Sequence, residues 1–324
     1  MDSKSKNKVK ENDRDYKYYL KKYQSVVGLI LFSVLISLLE RRFLTVGNIF
    51  NVFRQSSINA VIATGMTFVI ITGGIDLSVG STLAFSSAVG AFLLGSGMNT
   101  PLAVIITLIV GLVIGMSNGI IIAKAKLQPF IVTLAMMTIF RGATLVFTQG
   151  RPISTGYEKN ADLFSSIGTG SLFGLPTPII IMIIIFAIAF FILKNTTIGR
   201  YIFSVGGNEE ATKLSGINVD RIKIFAYGAS GLLAALAGII VTARLSSAQP
   251  TAGSGYELDA IAAVVIGGTS LAGGIGSIFG TIIGALIIGI LNNALNLLDV
   301  GSYYQQLAKG LVILIAVLLD RKEK

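Results

Sequence analysis

The 324-residue chain contains no cysteine, no histidine and no tryptophan, and only 13% of its residues are charged. Without cysteine there is no disulfide framework, thiolate nucleophile or thiolate metal site. Without histidine the commonest general base and the commonest metal ligand are gone. Without tryptophan any aromatic belt must be built from tyrosine and phenylalanine. The charged fraction is about half the ~25% of soluble domains, which excludes an ordinary globular enzyme. No G-x-x-x-x-G-K-[ST] loop, G-x-S-x-G elbow or metal-ligand cluster occurs, so the chain is not expected to hydrolyse ATP itself or to act as an enzyme.

What the chain has is apolar length. Hydrophobic residues make up 53%, mean hydropathy is +0.78, and the apolar residues lie in long blocks. A span needs roughly 20 residues to cross about 30 Å of hydrocarbon. Uncharged runs of that kind cover 23–39, 55–75, 127–150 (interrupted by Arg141), 172–193, 224–243 and 303–319 (interrupted by Lys309). Two further runs are too long for one crossing. Leu77–Ala123 holds 47 residues and turns at Asn99-Thr100-Pro101; Ala260–Leu298 bends at Gly267-Gly268 and Gly273-Gly274. The fold expected is all-α: a polytopic helical membrane protein of about ten transmembrane helices with Gly-broken hairpins, spanning 24–320. The 37 glycines suit helices that pack closely through small residues.

The charges orient these spans. Residues 1–23 form a tail with eight Lys/Arg against four acids, read as a cytoplasmic flank and not as a cleaved signal peptide. Counting outward from it, eighteen Lys/Arg fall on predicted cytoplasmic pieces and six on external ones, as the positive-inside rule requires. Both termini, including the short tail 321–324, are therefore expected in the cytoplasm. The same placement explains the net charge of +10 without nucleic acid. Arg41 and Arg42 sit awkwardly outside and are read as snorkelling to the interface.

Two segments read GGxxLxxG, Gly73–Gly80 and Gly267–Gly274, each followed after nine intervening residues by Gly-Ala. Gly-interrupted segments at matching places point to a transport pathway, although Gly-rich membrane sequence also aligns with itself easily. A third feature is the polar segment 194–223. Within it, Asn208-Glu209-Glu210-Ala211 reads as a helix start with acids in its positive first turn, and Gly216 as the stop. A loop of this length built around a capped helix implies a partner; a solvated interfacial helix is the alternative.

Glu210-Ala211-Thr212-x-x-x-Gly216 resembles the coupling motif of bacterial ABC importer permeases, with Thr212 where Ala is usual. Ile71–Ser81 is similar to the signature of the sugar-importing branch of that family. So are Ala243–Gly253, Tyr256–Ala263, Leu291-Asn292-Asn293 and Ser302-Tyr303-Tyr304-Gln305, and the likeness runs over about residues 43–320. The resemblance implies a permease subunit in the bacterial cytoplasmic membrane, importing ribose or a closely related sugar. Its implied partners are a second permease copy, a cytoplasmic ATPase that uses ATP and Mg, an external sugar-binding protein and the bilayer; no cofactor is bound by the chain itself. It further implies that Gly207, Asn208, Glu209, Glu210, Ala211, Thr212 and Gly216 form the ATPase-coupling loop, with Gly216 shaping the turn and Glu209 and Glu210 either pairing with basic residues of the ATPase or capping the helix. A secondary sugar transporter or channel, independent of ATP, is the alternative, and has no reason to carry the coupling motif.

Inside the spans, Asp76 and Ser78 either cap the third span or take part in gating or sugar contact. An ionised Asp at the bilayer centre costs roughly 2.5–3.5 kcal/mol, which favours a capped one. Asn118, Asn292, Asn293 and Asn296 either hydrogen-bond sugar hydroxyls or knit helices together. Arg141 and Lys309 are expected to face the bundle, a headgroup or each other. The external loop 149–176 carries Arg151, Glu158, Lys159 and Asp162, which suit docking of a binding protein or a solvated connector. Gln249–Glu257 is expected to join the same external surface.

Overall fold

A computed structural model describes residues 24–156 and 159–321. The basic tail, Glu158 and residues 322–324 lie outside the described residues. The described chain is almost wholly helical, with thirteen α-helices. In chain order these are α1 (Gln24–Leu39), α2 (Val46–Ile71), α3 (Val79–Gly95), α4 (Thr100–Ala125), α5 (Pro129–Thr148), α6 (Lys159–Thr169), α7 (Thr177–Asn195), α8 (Thr197–Gly207), α9 (Glu209–Leu214), α10 (Val219–Leu245), α11 (Tyr256–Ile266), α12 (Ile278–Leu297) and α13 (Ser302–Arg321). A 3-10 turn (Arg41–Leu44) and four two-residue strands complete the set. β1 (Ile153–Ser154) pairs antiparallel with β4 (Ser247–Ala248), and β2 (Ser171–Leu172) with β3 (Leu175–Pro176).

Helices α4, α5, α7, α10 and α12 are long and apolar enough to cross a membrane. Helix α2 is longer than most of them but carries Arg54, Gln55, Ser56, Ser57 and Asn59. It can hold these because it runs through the centre of the bundle, where from Ser56 to Ile71 every residue is buried. Peripheral helices invert the pattern: in α5 only Val132, Thr133, Thr144 and Thr148 are buried, and its large aliphatic side chains point outward, as lipid requires.

Glycine sets the tightest contact. On α4, Gly111, Gly115 and Gly119 recur every four residues and lie against α10. A Cβ on Gly231 of α10 would stand 2.8 Å from Gly115 Cα and closer still to the Gly111 carbonyl. Small residues at this spacing let two backbones meet, and dispersion then replaces the hydrophobic drive that lipid does not supply.

The two expected hairpin breaks are present. Asn99 caps α4, its side chain accepting from Leu102 N at 3.0 Å, with Pro101 in the first turn where its missing N–H costs nothing. At the end of α2, Gly73 takes φ +81° and the Gly73 and Gly74 amides donate to Ile70 and Val69. At the end of α11, Gly268 takes φ +86° and the Gly268 and Thr269 amides donate to Val265 and Val264. Both are the same left-handed helix stop, which glycine fits because a Cβ would be strained there. The left-handed residue is the first glycine of one GG pair and the second of the other, so the two motifs share a stop but not a residue-by-residue register.

One expectation is corrected. Gln249–Glu257 does not simply join the end surface. Ser247 pairs with Ser154, which packs near Gly95 at one end of α3, whereas Gly253 packs against Gly80 near the other. The segment thus descends along α3 before α11 begins. Helix α11 then has 11 residues, about 16 Å, and its last carbonyl, on Ile266, accepts from Ser25 Oγ at the start of α1. A non-helical stretch and a half-length helix together traverse the bundle.

Candidate functional site

The two half-elements bring helix N-termini together inside the bundle. Gly80, in the first turn of α3, packs against the Gly253 carbonyl and the Glu257 carboxylate of α11. Helix N-termini carry partial positive charge, and each has its own acid. Glu257 Oε1 accepts from Gly255 N at 3.2 Å. Asp76, buried to 1% exposure, accepts through Oδ1 from Ser78 N (3.0 Å) and Ser78 Oγ (2.6 Å), and through Oδ2 from Ser230 Oγ of α10 (2.8 Å). Asn118 of α4 donates to Ser78 Oγ at 2.8 Å. Asp76 and Ser78 therefore tie α3, α4 and α10 to one point, and the carboxylate binds just ahead of α3 instead of inside its first turn.

Arg141 and Lys309 do not meet. Arg141 Nη1 donates to the carbonyls of Pro250 and Ala252, 2.9 Å each, and so holds the non-helical descent against α5. Lys309 Nζ pairs with Asp259 Oδ2 at 2.9 Å, joining α13 to α11. Around that pair Asn59 of α2 and Asn292 of α12 donate to the same oxygen at 3.3 and 3.5 Å. A cavity of about 200 Å³ lies here, lined also by Gln55, Arg244 and Tyr256. Asn293 faces elsewhere: it exchanges two amide hydrogen bonds with Asn48, at 2.9 and 3.0 Å, and knits α12 to α2. Asn296 accepts from Gln305 of α13 at 2.9 Å.

The segment 194–223 is helical almost throughout. Thr196 caps α8, and Asn208 caps α9 by accepting from Ala211 N at 2.9 Å. Gly216, at φ +81°, ends α9 with the same left-handed stop as the two breaks. Thr212 is buried, while Glu210, Ala211 and Lys213 are exposed and Leu214 stands 90% exposed. Glu209, itself exposed, takes both bonds from Lys223 Nζ on its carboxylate, at 2.7 and 2.8 Å. Gly207 faces open space, but Gly206 is wedged between the Ile71 carbonyl and the Gly274 amide.

At the opposite end, Arg151 and Asp162 are exposed, Asp162 in the first turn of α6. Lys159 opens that helix, and Glu158 lies outside the described residues. The hairpin β2–β3 lifts Phe173 to 94% exposure beside exposed Leu172 and Leu175.

Sequence reasoning missed Asp259 and its cavity. The available signal was an acid beside an apolar run, but its partner lies 50 residues away. Leu214 was missed because a lone exposed leucine carries no signal in sequence.

With this geometry in view, residues 48–317 match the family described as the branched-chain amino acid transport system permease component. The chain belongs to this permease family. The permease is 58% identical over 302 residues to the ribose import permease protein of Haemophilus influenzae, covering 93% of this chain and 94% of the relative. It is 55% identical to the ribose import permease protein of Bacillus subtilis, covering 94% of each. To the D-allose transport system permease protein of Escherichia coli it is 42% identical, covering 90% of this chain and 89% of the relative. No solved structure matches the permease. Family and apolar helices together make it a multi-pass membrane transport protein.

Proposed function

We propose that the chain is the permease subunit of an ATP-driven ribose importer of the bacterial cytoplasmic membrane. The observation that carries the cargo is the identity of 55–58% to ribose import permeases along nearly the whole chain. Permeases named for allose and for xylose stand at 42% and 36%. The family description names branched-chain amino acids, so the family alone leaves the cargo open.

In this reading both termini lie in the cytoplasm and the chain crosses ten times, the Gln249–Ile266 segment counting as one crossing. Two copies form the pore. Helix α9 seats in a separate cytoplasmic ATPase through Glu210, Lys213 and Leu214, the side chains that point away from the permease. The wedge of Gly206 against Ile71 and Gly274 supports a direct mechanical link: a push on α8–α9 reaches both helix breaks through backbone, with no soft side chain between. An external sugar-binding protein docks on Arg151, Asp162 and the Phe173 hairpin. ATP and Mg belong to the partner ATPase.

The test is radiolabelled ribose uptake into proteoliposomes, comparing the permease alone with permease, ATPase, internal ATP and external binding protein. Uptake only in the full system, lost on Glu210→Lys despite normal insertion, is expected. Uptake by the permease alone, indifferent to ATP, would make it a secondary carrier or channel.

A further inference from the structure

The cavity around Asp259 has a composition that a purely structural ion pair does not need. Six polar or charged side chains line it, Asp259, Lys309, Arg244, Asn59, Asn292 and Gln55, and Tyr256 completes that wall. Asp259 is 3% exposed and Lys309 29%, so the pair is reached from one side. Asn292 already donates to Asp259, yet its Oδ1 is buried with no hydrogen-bond partner among the described residues. The other buried polar atoms without a partner among the described residues, Arg54 Nε, Ser56 Oγ and Asn118 Oδ1, belong to residues that do not line this cavity. Buried polar atoms are normally paired, and the unpaired Asn292 oxygen on the wall of a polar cavity leaves one acceptor for a ligand to fill.

We propose that this cavity is a binding station for a single pentose-sized sugar within the permease, reached from the external side. The proposal rests on the sugar-permease reading. Its chemistry is that of polyol recognition: adjacent hydroxyls donate to the Asp259 carboxylate and the free Asn292 oxygen, and accept from Lys309 and Asn59. The Tyr256 face covers the apolar side of the sugar ring. A volume of about 200 Å³ lies below the roughly 300–1,000 Å³ of drug-sized sites, which suits one monosaccharide. The position suits access: Arg244, which also lines the cavity, is the penultimate residue of α10, next to the β1–β4 strands at the end that the proposed topology puts outside. Selectivity would then be shared between the binding protein and the permease.

The absence of native cysteine allows a direct test. Gln55→Cys, in permease reconstituted alone, is labelled from outside with a membrane-impermeant maleimide; Phe173→Cys on the exposed hairpin is the control. Ribose is expected to slow labelling at position 55 several-fold, to leave position 173 unchanged, and to act better than an equal concentration of sorbitol. Adding Asn292→Leu or Asn59→Leu should raise the ribose concentration needed by about fivefold, the worth of one lost hydrogen bond. Protection in a permease that shows no ATP-driven uptake would keep the site and remove the importer reading. Labelling indifferent to ribose, even where ATP-driven uptake is intact, would reduce the cavity to a water pocket and overturn the proposal. A Gln55→Cys that the external reagent never reaches would overturn it equally.

Discussion

The amide of Gly274 donates to the carbonyl of Ile71 at 2.9 Å, joining the break after α11 to the break after α2. Ile71 is the last residue of α2, so its carbonyl has no helical partner and would be an uncompensated buried acceptor. Gly206, in the last turn of α8, closes over the same carbonyl. Three elements distant in sequence thus share one backbone junction.

That junction predicts a sharp contrast between neighbouring glycines. In Gly206→Ala the new Cβ would collide with the Ile71 carbonyl, and neither backbone can yield cheaply. Thermal unfolding in detergent should show a loss of more than about 2 kcal/mol, with transport abolished. Gly207→Ala meets nothing, and its effect on permease stability should stay within about 0.5 kcal/mol. Equal tolerance of both substitutions would remove the junction as a coupling element.

Arg141 predicts a local loosening. Arg141→Met keeps much of the aliphatic stem but removes both bonds to Pro250 and Ala252, each worth roughly 1.5–3 kcal/mol as a charged hydrogen bond. Half-exposure of the guanidinium calls for the lower figure. A Ser254→Cys reporter should then label faster, while one at Phe173 should not change.

The Asp259–Lys309 pair predicts non-additivity. Removing one partner of a buried pair costs roughly 3–5 kcal/mol. The partial exposure of Lys309 lowers our expectation for Asp259→Asn or Lys309→Met to about 2–3 kcal/mol. The double variant should cost less than the sum of the two. Additive losses in thermal unfolding would mean that the side chains do not interact in the membrane.

At α9 stability and coupling should separate. Asn208→Ala removes a helix cap and should cost about 1 kcal/mol. Glu209→Gln breaks an exposed pair with Lys223 and should cost under about 1 kcal/mol. Leu214→Ala should leave the permease as stable as before yet impair ATP-driven uptake and ATPase assembly, because Leu214 touches little within this chain. An unimpaired Leu214→Ala would move the ATPase contact elsewhere.

Orientation is read by single cysteines. Ser215→Cys should react only with reagent on the cytoplasmic side and Phe173→Cys only with reagent outside. The reverse pattern would invert the topology.

The sequence by itself determined the helical class, the broken elements and the capped helix α9, because these depend on local features; α8 before it was not legible there. Apolar length, left-handed glycines at 73, 216 and 268, and caps such as Asn99 and Asn208 act within a few residues of themselves. Only the tertiary structure decided which charges and amides meet. Lys309 finds Asp259, Arg141 finds the Pro250 and Ala252 carbonyls, Glu209 finds Lys223, and of two adjacent asparagines Asn293 pairs with Asn48 while Asn292 faces the cavity. It also decided that Gln249–Gly255 enters the bundle, since a polar, Gly-containing stretch reads as a surface loop until Arg141 supplies donors for its carbonyls. Neighbours in a low-dielectric interior are selected by the packing angles of whole helices, and no periodicity in the chain encodes those angles.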